Sequence, residues 1–237
     1  MKNLLFWLAF PFVLPQALWL RKRAPRFKDA VGEHQGEVGQ GTTLRLVAIG
    51  DSIIAGVGAA TLDKALVGQT AASLAEQKQA SVHWVSIGKT GVTSRGLVKR
   101  LLKELPDTEI DYFVVSIGVN DVTALTSLKA WRINLTRLFE SLHSTRPNAV
   151  IAFAGLPPLG RFPLLPQPLR FVLGLRAQVL DRAALSVIQG HPTVVHVSLA
   201  FDLEPENFSP DGYHPNEDSY VEYGRLVAEA LVDHRAG

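Results

Sequence analysis

The sequence predicts an α/β domain, a three-layer α/β/α sandwich with a five-stranded parallel sheet in the flavodoxin-like order 2-1-3-4-5. Three observations predict it. Short Val/Ile-rich runs, apolar at nearly every position, recur along the chain, as strands covered on both faces should. Helical patterns alternate with them, which implies βαβ units and right-handed crossovers. The length of 237 residues suffices for one such domain with a large buried core.

The elements follow in order. Leu44-Arg45-Leu46-Val47-Ala48-Ile49 is the first apolar run, and Gly50 ends it. A helical pattern spans 65–79, and a second strand is expected at 82–87. Helix 94–104 leads to strand 111–117, and helix 127–144 leads to strand 149–154. Helix 171–189 precedes a last strand at 193–198, and a final helix covers 217–233. No internal repeat is visible.

The N-terminus is organised differently. Leu4 to Leu20 is apolar except for Pro11, Pro15 and Gln16; Lys2 precedes it, and Arg21, Lys22, Arg23 and Arg26 follow. The run is at the short limit for a membrane helix. It lacks the small-residue cleavage site of a signal peptide. Trp7 and Trp19 can mark two interfaces, with the arginines at the headgroups. Residues 1–28 are therefore expected to be a membrane anchor, with membrane contact through 4–20; the alternative is an arm packed on the domain. The charge balance favours the C-terminal side facing the cytoplasm, against a soluble cytoplasmic or a periplasmic protein. Residues 29–43, rich in Gly, Glu and Gln, read as a linker to a domain at 44–237.

Composition excludes several chemistries. The chain has no cysteine, which removes thiol nucleophiles, disulfides and Cys-based metal sites. A net charge of +2 gives no electrostatic case for nucleic acid. His34, His83, His143, His191, His196 and His234 show no ligand spacing, so no metal and no cofactor is expected.

Three segments carry chemistry. Ser52 stands in Ile49-Gly50-Asp51-Ser52-Ile53, where the first strand hands over at the carboxyl edge of the sheet. Ligands bind at that edge in open α/β sheets, although Asp-Ser after a strand also suits a helix cap. Ser209-Pro210-Asp211-Gly212-Tyr213-His214-Pro215 reads as a loop with Asp211 three residues before His214. A carboxylate there can take the Nδ1 proton of His214, leaving Nε2 free to deprotonate a serine. Asp202 and Glu204 also precede His214, but the three-residue spacing favours Asp211. Gly118-Val119-Asn120-Asp121 ends the 111–117 run, so Asn120 reaches the same edge and can donate to an oxyanion. Asp51 and Asp121 read as acceptors that stabilise their loops.

Gly50-Asp51-Ser52-Ile53, Gly91, Gly118-Val119-Asn120-Asp121 and Asp211-Gly212-Tyr213-His214 resemble the four sequence blocks of the SGNH (GDSL-type) hydrolases, in that family's order. Ile53 replaces the usual Leu. The resemblance spans residues 44 to 235. It implies Ser52 as nucleophile, Asp211 and His214 as the rest of a triad, and an oxyanion hole from the Ser52 and Gly91 N–H groups with the Asn120 amide. The segment Val85–Ser94 offers Gly88 as well; the family's glycine precedes a Thr/Ser-containing helix start, which favours Gly91.

The resemblance implies a carboxylester hydrolase acting through an acyl-enzyme on a small-molecule ester, with short, medium or lipid-like acyl groups. Alternatives on the same residues are a carbohydrate or peptidoglycan O-deacetylase, a thioesterase or an acyltransferase. A non-enzymatic binding module with Ser52 as a cap lacks any phosphate-binding glycine motif. The Pro-rich stretch 155–168 follows the fourth strand. Leu159, Phe162, Leu164 and Leu165 make it apolar, so it can serve as the wall or lid of an acyl site, or simply cover the sheet end or meet the membrane. Arg161 and Arg170 can meet an anionic headgroup or remain solvated.

Overall fold

The computed structural model describes residues 1–23, 28–198 and 204–236. The expected positions Arg26 and Asp202 lie outside them. The chain opens with helix α1 (Lys2–Arg23), which runs through Pro11 and Pro15. Strand β1 (Gln35–Gly39) follows, then β2 (Thr42–Gly50), α2 (Leu66–Lys78) and β3 (Ala80–Gly88). Next come α3 (Ser94–Lys99), β4 (Tyr112–Ser116), α4 (Val119–Thr123) and α5 (Leu128–Thr145). The chain closes with β5 (Val150–Ala154), α6 (Leu169–Ile188), β6 (Val194–Val197) and α7 (Glu217–Ala236).

The five expected strands are β2 to β6, and they pair in parallel in the expected order. The sheet nevertheless has six strands, in the order β1-β3-β2-β4-β5-β6. The added strand is β1, antiparallel to β3, with Val38 opposite Val82. It lies inside 29–43, so that segment is not a free linker. Its sequence, Gln-Gly-Glu-Val-Gly, carries one β-branched residue and no alternation, because an edge strand gains its stability from backbone pairing with β3. The segment is tied at other points too: Ala30 N–H donates to Ala55 and Ser86 N–H to the His34 carbonyl.

The pleat divides the strand residues between two layers. Val47, Ile49, Phe113, Val115, Ile151 and Phe153 pack with α5 and α6. Leu46, Ala48, Tyr112, Val114, Val150 and Ala152 pack with α2 and α7. Helix α1 joins the first layer: Phe6 and Val13 are buried in its core, and α1 lies along α6. By length and composition α1 is apolar enough to cross a membrane.

Register explains where the site forms. Gly50, at the end of β2, stands opposite Gly88 of β3 and Ser116 of β4. Three loops therefore leave the sheet at one level, beginning at Asp51, Lys89 and Ile117.

Candidate active site

Ser52 follows β2, and the loop around it is fixed from below. Asp51 N–H donates to the Ser116 carbonyl at 3.0 Å. The Asp51 carboxylate is buried and accepts from Ile53 N–H at 3.2 Å and from Ser116 Oγ at 3.5 Å. Burial raises the Asp51 carboxyl to about 7, against the opposing effects of the Ile53 bond and the His214 charge.

The loop before α7 brings its two residues to Ser52. Asp211 Oδ2 lies 2.6 Å from His214 Nδ1, and His214 Nε2 lies 2.9 Å from Ser52 Oγ. The other carboxylate oxygen accepts from Ser209 Oγ at 2.8 Å and from the N–H groups of Tyr213 and His214 at 2.7 and 2.9 Å. Burial alone would raise the Asp211 carboxyl. The bonds from His214 and from the two backbone N–H groups outweigh it and hold Asp211 below the usual carboxylate range. An ionised carboxylate there fixes the imidazole so that Nε2 faces the serine hydroxyl.

Gly88 and Gly91 are glycines for different reasons. A Cβ on Gly88 would fall 2.2 Å from the Ala55 backbone nitrogen, so close packing excludes a side chain. A Cβ on Gly91 would meet nothing within 4 Å; its φ of +80° is what calls for glycine. The Gly91 and Ser52 amide hydrogens donate to no group among the described residues. Asn120, in the short α4, donates one Nδ2 hydrogen to the Val92 carbonyl at 3.0 Å and keeps a second.

Asp121 locks these two loops together, a wider role than the local loop stabilisation its sequence position suggests. Its carboxylate is fully buried and accepts from Ser94 N–H at 2.8 Å and Ser94 Oγ at 2.7 Å. Asn134 of α5 donates in turn to Ser94 Oγ at 2.9 Å. Burial raises the Asp121 carboxyl; the Ser94 bonds oppose that shift. Ser94 belongs to the Thr/Ser-containing helix start that favours Gly91, but nothing in the sequence joins it to Asp121, and Asn134 lies outside every block.

A cavity of about 40 Å³ opens beside Ser52 and His214, with Ile117, Val119, Leu156 and Phe162 among its walls. Both readings of the 155–168 stretch hold part of the truth. Leu159 and Leu165 are buried in the core, while Leu156, Pro157 and Phe162 line the cavity. Phe162 also packs edge-on against Phe208 and Tyr213, with centroids 5.2 Å away in each case, next to the His214 loop. Arg161 pairs with Glu204 at 3.3 Å, and Arg170 donates to the Leu165 and Pro163 carbonyls. A second pair was missed: His196 Nε2 lies 3.0 Å from Asp181 Oδ1, which also accepts from Leu156 N–H at 2.9 Å. It braces the cavity wall. Among the described residues, no group of three or more His, Asp and Glu side chains is placed to hold a metal ion.

Fold and site together define a three-layer α/β sandwich that carries a Ser-His-Asp line at the carboxyl edge of its sheet. The sequence profile of the GDSL-like lipase/acylhydrolase family matches residues 48–221, and the chain belongs to that family. A search of curated proteins finds no match. Among solved structures, the chain is similar to a family 3 carbohydrate esterase of Clostridium thermocellum, with TM-score 0.65 and 18% identity, covering 82% of this chain and 98% of that one. It is also similar to a lipase/acylhydrolase from Enterococcus faecalis, with TM-score 0.61 and 24% identity over 78% and 94% of the two chains. A psychrotrophic esterase from Pseudoalteromonas sp. matches with TM-score 0.60 and 16% identity over 80% and 97%. At these identities the structural likeness concerns the fold.

Proposed function

We propose that the protein hydrolyses carboxylic esters through an acyl-enzyme on Ser52. The observation that carries this reading is the unbroken line from Asp211 Oδ2 through the His214 ring to Ser52 Oγ, with contacts of 2.6 and 2.9 Å. His214 Nε2 takes the hydroxyl proton as Ser52 Oγ bonds to the ester carbonyl carbon. The carbonyl oxygen becomes an oxyanion, which receives the Ser52 and Gly91 N–H groups and the spare Asn120 Nδ2 hydrogen. The C–O bond to the alcohol breaks, and His214 gives its proton to that oxygen. Water then repeats the sequence on the acyl-enzyme and frees the acid. Asp211 keeps the imidazole oriented and offsets its positive charge in both halves.

The cavity favours a short acyl group. Its volume of about 40 Å³ has room for about three water molecules at 10–15 Å³ each. That size also favours a second reading, an O-deacetylase acting on carbohydrate; the Clostridium thermocellum neighbour is named a carbohydrate esterase. A series of p-nitrophenyl esters from acetate to octanoate, run beside an acetylated oligosaccharide, separates the two. A rate that falls steeply beyond butyrate, with low turnover of the oligosaccharide, supports the esterase. Preference for the oligosaccharide supports the deacetylase. No turnover of any ester contradicts both.

A further inference from the structure

We propose that α1 lies side-on along the domain as a lipid-binding helix, and that its outward face seats the protein on an anionic bilayer with the ester site at the membrane surface. The placement of the ester site rests on the function proposed above; the seating of α1 does not.

The two faces of α1 are inverted relative to a helix of a water-soluble protein, where polar residues face out. Here Lys2, Asn3 and Gln16, the polar residues that precede the exposed basic triplet Arg21-Lys22-Arg23, face the domain. Lys2 donates to Gln178, and the Asn3 side-chain oxygen accepts from Arg176 at 2.7 Å. Gln16 donates to the Gln167 carbonyl and accepts from Leu169 N–H, at 3.0 Å each. Phe6 and Val13 are buried on this side, and Ala9, Phe10, Ala17 and Leu20 pack against the same core. The opposite face carries Leu4, Leu8, Phe12 and Leu18, exposed by 65, 62, 86 and 51%. Spacings of four residues keep the first three on one stripe. Phe171, in the first turn of α6, is exposed as well. A contiguous apolar face of this kind marks a protein or membrane contact.

Charge decides between those occupants. Arg21, Lys22 and Arg23 close α1 and are exposed, and the first 28 residues contain no Asp or Glu. Basic residues beside an apolar helix face fit anionic headgroups.

The docking contacts also argue against a spanning helix. Arg176 is only 1% exposed. Its guanidinium is held by Asn3 and the Thr126 carbonyl and lies 5.3 Å from the Phe6 ring centre, so α1 is part of what covers this cation. Withdrawing α1 into a bilayer would remove the Asn3 and Phe6 contacts. Pro11 and Pro15 offer no donor to the carbonyls four residues earlier; water reaches such groups at an interface and not in hydrocarbon.

The direction of α1 sets the orientation of the site. Lys2 meets Gln178 and Gln16 meets Gln167, so α1 runs antiparallel to α6. Its C-terminal end lies beside the 155–168 stretch that supplies Leu156, Pro157 and Phe162 to the cavity. Residues 17–23 continue about 10 Å past Gln16 at 1.5 Å per residue, carrying Trp19 and the basic triplet. Esters presented at a bilayer surface are the substrates this placement serves.

The absence of cysteine gives a direct test. The full chain is prepared as Leu4→Cys, Leu8→Cys, Phe12→Cys, Leu18→Cys and, on the α6 side, Ala17→Cys. Each carries an environment-sensitive nitrobenzoxadiazole label, and circular dichroism melts confirm the fold. Vesicles contain phosphatidylcholine alone or with phosphatidylglycerol, plus nitroxide lipids of defined depth. The four outward labels should be quenched at one shallow depth and the label at 17 left unquenched. Binding should be roughly ten- to hundred-fold tighter with phosphatidylglycerol, from the basic triplet. A depth profile deepest at position 12, quenching at 17, or equal binding to both vesicles would overturn the proposal. So would lack of vesicle binding, or a lipid-free dimer that shields the outward labels. Hydrolysis of a soluble ester by the unlabelled chain is read separately, so vesicle binding and the chemistry at Ser52 can fail independently.

Discussion

Replacing Asp51 by Asn should reverse part of the pH dependence of stability. The Asp51 carboxyl is buried beneath Ser52, and burial raises it from 3.8 to about 7. A folded-state value above the unfolded one means that the native state binds the proton more tightly. The stability this supplies is fully present below 3.8 and is lost as pH rises through about 7. At about 1.4 kcal/mol per pH unit, the whole interval amounts to about 4 kcal/mol. Roughly 1–2 kcal/mol of that has gone by pH 5 and nearly all by pH 8. Asn keeps the oxygen that accepts from Ile53 and Ser116 but has no proton to lose. Any constant effect of its Nδ2 group is the same at both pH values and drops out of the comparison. Urea unfolding of both proteins at pH 5 and pH 8 is the assay. The stability of Asp51→Asn relative to the unmodified chain should rise by about 2–3 kcal/mol between the two. A difference that does not change with pH, or that changes in the opposite sense, would refute the argument.

Other perturbations have equally definite outcomes. Asn120→Ala should lower kcat by about 10²–10³ with little change in KM, because its spare hydrogen matters most in the transition state; a raised KM with intact kcat would assign it to ground-state binding. Asp211→Asn should lower kcat by about 10³–10⁴ at neutral pH while substrate binding persists, as expected when a carboxylate only orients the imidazole; steady-state kinetics on a soluble ester measures this. Phe162→Ala should shift preference in an ester series towards longer acyl groups and cost about 3–5 kcal/mol of stability, since Phe162 both lines the cavity and packs on Phe208 and Tyr213. A chain starting at Asp29 should melt higher than one starting at Gly39, because the second loses the β1 pairing; equal melting temperatures would deny β1 a stabilising role.

What the sequence reveals depends on how locally each feature is encoded. Strands β2 to β6 were legible because burial on both faces demands unbroken apolar runs such as Tyr112–Ser116. Strand β1 was not, since Gln-Gly-Glu-Val-Gly shows no pattern without its partner. Asp211 and His214 were legible as a pair because three residues in one loop bring them together. The Asp181–His196 pair was invisible: its members lie on α6 and β6, and only tertiary packing joins them. The same holds for the lock between Asp121, Ser94 and Asn134. The inversion of α1 was hidden for another reason. Both of its faces are largely apolar, so periodicity cannot separate them; the burial of Phe6 and Val13 and the partners of Asn3 and Gln16 reveal which side faces the domain.

The central claim is that Ser52 is the nucleophile, and one measurement addresses it directly. The purified full chain is treated with a fluorophosphonate, and the adduct is located by mass spectrometry, with Ser52→Ala treated in parallel and its fold checked by circular dichroism. One adduct on Ser52 is expected, with no labelling and no ester hydrolysis in the folded Ser52→Ala protein. An adduct on another residue, or ester hydrolysis that survives the substitution, would contradict the account.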